Sequence, residues 1–180
     1  MSQADPDTSD RFLTAFFGDR EGWACFGYKP TEVAGGRDEQ VIQKWFEWPR
    51  ESDRAIAWIE DMSPQHAMYW SPLLHEEPRR RKGNALHRRW LWLDLDGDPG
   101  NSDLLSRLGA IEIRSGRPGH THHYVRLSRS LPAREWHSLA RALRDAVGGA
   151  ADPKIADNDF LRLPGSLNFR TVPPTLVSAR

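Results

Sequence analysis

The sequence has a single cysteine, Cys25, in 180 residues, which excludes an internal disulfide and any multi-cysteine zinc ribbon. One lone thiol suits a reducing compartment, so a cytoplasmic location is predicted. Net charge is missing as well, because 25 basic side chains cancel 25 acidic ones. Attraction to a polyanion therefore has to come from local patches. No apolar run approaches the roughly 20 residues of a membrane span. The acidic opening "MSQADPDTSD" lacks the basic end and apolar stretch of a secretion signal. No membrane partner is predicted. Internal repeats are absent too, and a chain of this length encloses one hydrophobic core, not two. Aromatics, by contrast, are plentiful. Eight tryptophans are more than usual, and core mass is the predicted use for most of them.

Residues 1–10 are polar and acidic and are predicted to be a flexible lead. "RFLTAFFG" then reads as a helix of about two turns closing on Gly18. "GWACFGYKP" reads as a strand, and Gly35 with Gly36 marks a turn. "SDRAIAWIEDM" has helical spacing behind a Ser52 cap and stops before Pro64. "HAMYW" is a predicted strand, and "HEEPRRRKGNALHRR", with four consecutive bases from Arg79 to Lys82, reads as an exposed loop able to touch phosphates. In "WLWLDLD", period two puts Leu91, Leu93 and Leu95 on one face and Trp90, Trp92, Asp94 and Asp96 on the other. A turn and short helix follow, then the strand "AIEIR", the glycine loop "SGRPGH" and the strand "THHYVRL". "LPAREWHSLARALRDAVGG" is a helix with Pro132 near its start and Trp136, Leu139 and Leu143 on one face. The remainder to Arg170 is a loop with a short strand. Alternating strands and helices predict an α/β (α+β) class, with a single domain over 11–172 and a tail or linker over 173–180.

Three segments carry candidate chemistry. Asp94 and Asp96 project from the same face of a strand end, about 7 Å apart at ~3.3 Å per residue. Two adjacent carboxylates are costly to ionise together, and a bound Mg²⁺ or Mn²⁺ removes that repulsion. In "SGRPGHTHHYVRL", alternation sets His122, Tyr124 and Arg126 opposite to His123, Val125 and Leu127, so one histidine is predicted to be buried or idle. A histidine beside the carboxylates can bond a triphosphate oxygen, with loop N–H groups as further donors. The third segment, "ADPKIADNDFLRLPGSLNFR", offers Asp152, Asp157 and Asp159 ahead of Arg162, Asn168 and Arg170, and the planar forks of the two arginines match phosphate.

In this order, the DxD strand, the Gly-His strand and the Asp with Arg-Leu-Pro-Gly-Ser-Leu-Asn resemble the archaeo-eukaryotic primase superfamily. More closely, they look like the primase-polymerase domains of phage and plasmid replication proteins, over roughly residues 65–172. The resemblance implies an RRM-like catalytic core with an added N-terminal α/β unit and a mixed sheet flanked by helices. It implies metal-binding carboxylates at Asp94 and Asp96, a third at Asp152 with Asp157 in reserve, and two divalent ions, Mg²⁺ or Mn²⁺, with no zinc. It places the nucleotide-contacting histidine at His122, with His120 as the rival, and a nucleotide-binding set of Ser115, His120, His122, Arg162, Asn168 and Arg170. Arg170 stands where a lysine is common. The implied partners are a single-stranded DNA template, a primer, nucleoside triphosphates and a helicase domain in a longer parent protein.

Two other readings compete. "HTHHY" also resembles the His-metal motif of rolling-circle and relaxase nucleases, which need a tyrosine nucleophile. A non-catalytic single-stranded nucleic-acid module is the other, since residues 111–147 hold seven arginines against three acids. Clustered carboxylates repel phosphate unless metal is bound, and this favours the enzyme.

Overall fold

The protein is described by a computed structural model covering residues 3–30, 41–149, 151–152 and 155–179. The chain begins with α1 (Pro6–Phe17), a helix set by its own residues: the Asp5 side chain accepts the Thr8 N–H at 3.2 Å, Pro6 opens the first turn, and Gly18 closes it at φ 57°. The helix thus starts five residues before Arg11, inside the stretch predicted to be a flexible lead. β1 (Gly22–Lys29) follows. The predicted turn at Gly35 and Gly36 lies outside the described residues.

β2 (Ile42–Trp48) pairs antiparallel with β1. No strand was predicted there, because its exposed Ile42, Gln43 and Lys44 blur the alternation that Phe46 and Trp48 begin. In α2 (Ser52–Met62) Glu51, not Ser52, is the capping position, and no side chain caps the helix; Ser52 is its first residue. β3 (Ala67–Trp70), β4 (Trp90–Asp96), the six-residue α3 (Ser102–Arg107), β5 (Ile111–Arg114), β6 (His120–Arg126) and α4 (Ala133–Val147) come next. The C-terminal part adds the two-residue strands β7 (Leu161–Arg162), β8 (Leu167–Asn168), β9 (Thr175–Leu176) and β10 (Ser178–Ala179).

These strands form two four-stranded sheets, β2-β1-β3-β7 and β10-β5-β6-β4, plus the β8-β9 pair. Every strand pairing among the described residues is antiparallel, where a mixed sheet was expected. Residues 173–180, expected to be a tail, hold β9 and β10, and Val177 between them is fully buried. β10 extends the second sheet by pairing with β5.

The aromatic content joins the sheets. Phe16 lies 4.7 Å from the Trp70 ring of the first sheet, stacks at 4.2 Å on Trp90 of the second, and meets Tyr124 edge-on at 5.4 Å. The Trp90 and Trp136 indoles donate to the Phe16 and Trp90 carbonyls, so the buried N–H groups are satisfied. All eight tryptophans are buried or half-buried, so none is an exposed platform for bases. On α4 the buried face is Trp136, Ala140, Leu143 and Val147; Leu139, predicted on that face, is 41% exposed.

The basic loop after β3 is less free than its sequence suggests. Arg88 bonds the fully buried Asp157, and Arg80 donates to the Asn158 carbonyl and lies 4.2 Å over the Phe160 ring. This loop also buries His75, whose Nε2 sits 3.0 Å from the Ser71 hydroxyl. Burial pushes the His75 pKa down from 6.5 to about 4. The unfolded chain therefore takes up the proton first, and stability attached to neutral His75 is full above pH 6.5 and lost as pH falls towards 4. The loss should be about 3 kcal/mol. Urea unfolding at pH 7 and pH 4 should show it in wild type and show less of it in His75→Gln.

Candidate active site

β4 and β6 are paired in a register that sets Asp94 opposite His122 and Asp96 opposite His120. Because side chains alternate, all four stand on the same face of the second sheet. His120 Nδ1 is hydrogen-bonded to Asp96 Oδ1, and His122 Nε2 lies 3.5 Å from Asp94 Oδ1. Both histidines proposed from sequence are therefore present, each beside its own carboxylate. His123, on the other face, is also buried and shares a 3.0 Å hydrogen bond with the Thr121 hydroxyl.

The first sheet closes the cleft from the other side. Arg162 on β7 lines it with Asp94, Asp96, His120 and His122, while Ser115, Arg117 and Arg170 come from loops, around a space of about 120 Å³. Arg162 is cross-strand partner to Tyr69, and its guanidinium lies 5.1 Å over that ring. Arg117 was not singled out in the sequence, although it sits inside the glycine loop that was.

Asn168 has a different place from the other proposed contacts. It is fully buried, donates to the Ser115 carbonyl at 2.6 Å, and accepts the Arg170 N–H at 3.0 Å. It ties the glycine loop to the Arg170 backbone and does not line the cleft. Gly165 of the same motif, at φ 86°, packs under α1, where a Cβ would run into the Asp5 carbonyl and Ser9. Part of the motif's specificity is thus the docking of a helix.

Two of the three distal aspartates lie near the pair. The Asp152 N–H bonds the Asp94 carbonyl at 2.9 Å, which brings its exposed side chain alongside β4. Asp159, which sequence reasoning named but gave no role, accepts the Trp92 indole N–H at 3.1 Å and the Ala156 N–H at 3.0 Å. Asp157, the reserve carboxylate, is elsewhere: it is fully buried, with Arg88 at 2.8 Å and the Gly83 N–H within hydrogen-bonding distance. Its charge already has a guanidinium partner.

Burial, then the neighbouring Asp96, Asp152 and Asp159, push the Asp94 carboxyl up from 3.8 to about 7, against the opposing pull of Arg162. Burial, aided by Arg162, pushes His122 down to about 3, so its imidazole is neutral. Among the described residues no three Asp, Glu, His or Cys side chains are already gathered round one point as a metal cage. The donor chemistry nonetheless fits a hard divalent cation. Carboxylates crowded until one resists ionisation are relieved by such an ion, and Mg²⁺ takes one or two carboxylates with water and substrate phosphate completing its shell.

The fold is similar to that of solved primase and primase-polymerase domains. Solved structures sharing it include the AEP domain of the cyanophage S-2L primase-polymerase, at TM-score 0.70 and 15% identity over 99% of this chain and 91% of that one. Primase RepB' matches at TM-score 0.66 and 17% identity, over 97% of this chain. This chain spans 55% of that RepB' chain. The catalytic domain of RepB', in a structure with initiator DNA, matches at TM-score 0.65 and 15% identity, over 97% of this chain and 83% of that one. No family model and no curated protein matches the sequence. No helix among the described residues is long and apolar enough to cross a membrane.

Proposed function

We propose that this domain catalyses template-directed nucleotidyl transfer on single-stranded DNA, making or extending primers. The observation that carries the reading is the pair of cross-strand couples, Asp94 with His122 and Asp96 with His120, facing Arg162 across the cleft. The reaction joins a strand's 3′-hydroxyl oxygen to the α-phosphorus of a nucleoside triphosphate and breaks the bond to pyrophosphate. Asp94 and Asp96, with Asp152 alongside, would hold divalent Mg²⁺ or Mn²⁺. Such ions, when bound, ease deprotonation of the attacking hydroxyl and neutralise the leaving group.

The remaining work falls to the protein's own groups. Neutral His122 donates a hydrogen bond to the triphosphate without competing with the cations for the carboxylates. Arg162, held over the Tyr69 ring, and Arg170 and Arg117 from the loops, grip phosphate oxygens. His120 orients the Asp96 carboxylate through their hydrogen bond.

The rival nuclease needs a tyrosine free to attack phosphate. Tyr124 is fully buried, burial pushes its pKa well up, and Tyr69 is buried beneath Arg162. Half-buried Tyr28 lies on β1, outside the cleft.

Incubation with a single-stranded template, labelled nucleotides and Mn²⁺, with and without a primer, should give metal-dependent incorporation. A covalent protein-DNA adduct without incorporation would reject this function. His122→Ala should lower kcat/KM for the nucleotide by about ten- to a hundredfold, read in steady-state extension.

A further inference from the structure

Of the histidines on β6, the proposed reaction leaves the buried His123 unused. Alternation along β6 turns it, with Thr121, to the face opposite the cleft, where their partners on β5 are Glu112 and Arg114. This outer face holds a pocket of about 540 Å³, within the usual range for bound ligands. The six-residue α3 contributes only Ser102 to the lining, while β10 supplies Ser178 as a rim.

The chemistry of the lining is that of an anion site. Arg114 and Arg117 bring two guanidiniums against the one carboxylate of Glu112, which Arg114 already engages at 2.6 Å. Hydroxyls of Thr121 and Ser178 stand beside them. The pocket also adjoins the cleft, since Arg117 and His120 line both. A strand whose 3′ end lies at Asp94 and Asp96 therefore has a second set of phosphate donors just across the glycine loop.

We propose that the outer pocket is a second phosphate-binding site, in which Arg114, Arg117 and His123 hold phosphate groups of the strand being extended. The inference rests on the nucleotidyl-transfer reading. Those phosphates come from one of two sources, the 5′-triphosphate of a newly started strand or the diester backbone of a longer primer.

Arg114→Gln isolates the pocket, because Arg114 lines it without lining the cleft and its side chain is 46% exposed. Binding of a labelled short oligonucleotide, bearing either a 5′-triphosphate or a 5′-hydroxyl, is measured by anisotropy across a salt series. KM values for primer and nucleotide are measured in parallel. The variant should bind about tenfold more weakly, with a log-log salt slope smaller by about one. Primer KM should rise and nucleotide KM should hold. A loss confined to the 5′-triphosphorylated strand assigns the pocket to the strand's start, and an equal loss with both assigns it to backbone. Unchanged binding of both strands, or a rise in nucleotide KM alone, overturns the proposal. Absence of incorporation by the wild type would instead reject the proposed function, and the anisotropy result would still decide whether the pocket binds phosphate.

Discussion

Asp94→Asn is expected to cut metal-dependent nucleotide incorporation by about a thousandfold or more while making the metal-free protein more stable at pH 8. The two effects have one cause. Asp94 sits among Asp96, Asp152 and Asp159 with its folded pKa raised from 3.8 to about 7. Its folded form holds the proton more tightly than the unfolded chain does, so the stability it contributes is complete below pH 3.8 and lost as pH rises through 7. At pH 8 the ionised carboxylate is a cost, and an amide of the same shape removes it. The full shift corresponds to about 4 kcal/mol; because the side chain is 33% exposed, a gain of about 2 kcal/mol is expected. Thermal melts in chelator at pH 8, beside extension assays in Mn²⁺, check both halves. Undiminished incorporation would reject the site, and a lower melting temperature would make Asp94 a structural residue.

Asp157→Ala should do the reverse, unfolding the protein at temperatures where the wild type is intact. Asp157 is fully buried, and its removal leaves Arg88, whose side chain is only 11% exposed, without its carboxylate. Breaking a buried ion pair on one side costs about 3–5 kcal/mol. For a domain of this size that lowers the melting temperature by on the order of 10 °C. Asp152→Ala provides the contrast: with its exposed side chain it should melt like the wild type and lose incorporation. Equal melting of the two variants would mean that Arg88 finds another partner and that Asp157 has no special structural role.

These two aspartates show where sequence reasoning reached its limit. Asp152 and Asp157 are five residues apart in one polar loop, and nothing local separates them. The difference arises because residue 152 bonds the backbone of β4, whereas residue 157 is carried to the loop after β3, where Arg88 awaits it. The acids and bases of "HEEPRRRKGNALHRR" were similarly read as an exposed loop, although Arg88 bonds the buried Asp157 and Arg80 meets Asn158 and Phe160. Contacts across 69 to 78 residues leave no periodic trace in the chain.

What the amino-acid order determined alone is what alternation and local backbone chemistry control. That covers Asp94 and Asp96 on one face of a strand, His122 facing away from His123, the amphipathic helix after Pro132, and a core rich in tryptophan. Tertiary structure alone decided the pairing of each histidine with its aspartate, the entry of Arg162 from the first sheet, the diversion of Asp157 into an ion pair, and the use of residues 175–179 as strands. Strand register and loop docking set those, and both depend on which distant surfaces bury each other best, a property of the whole folded chain that no short window of it contains.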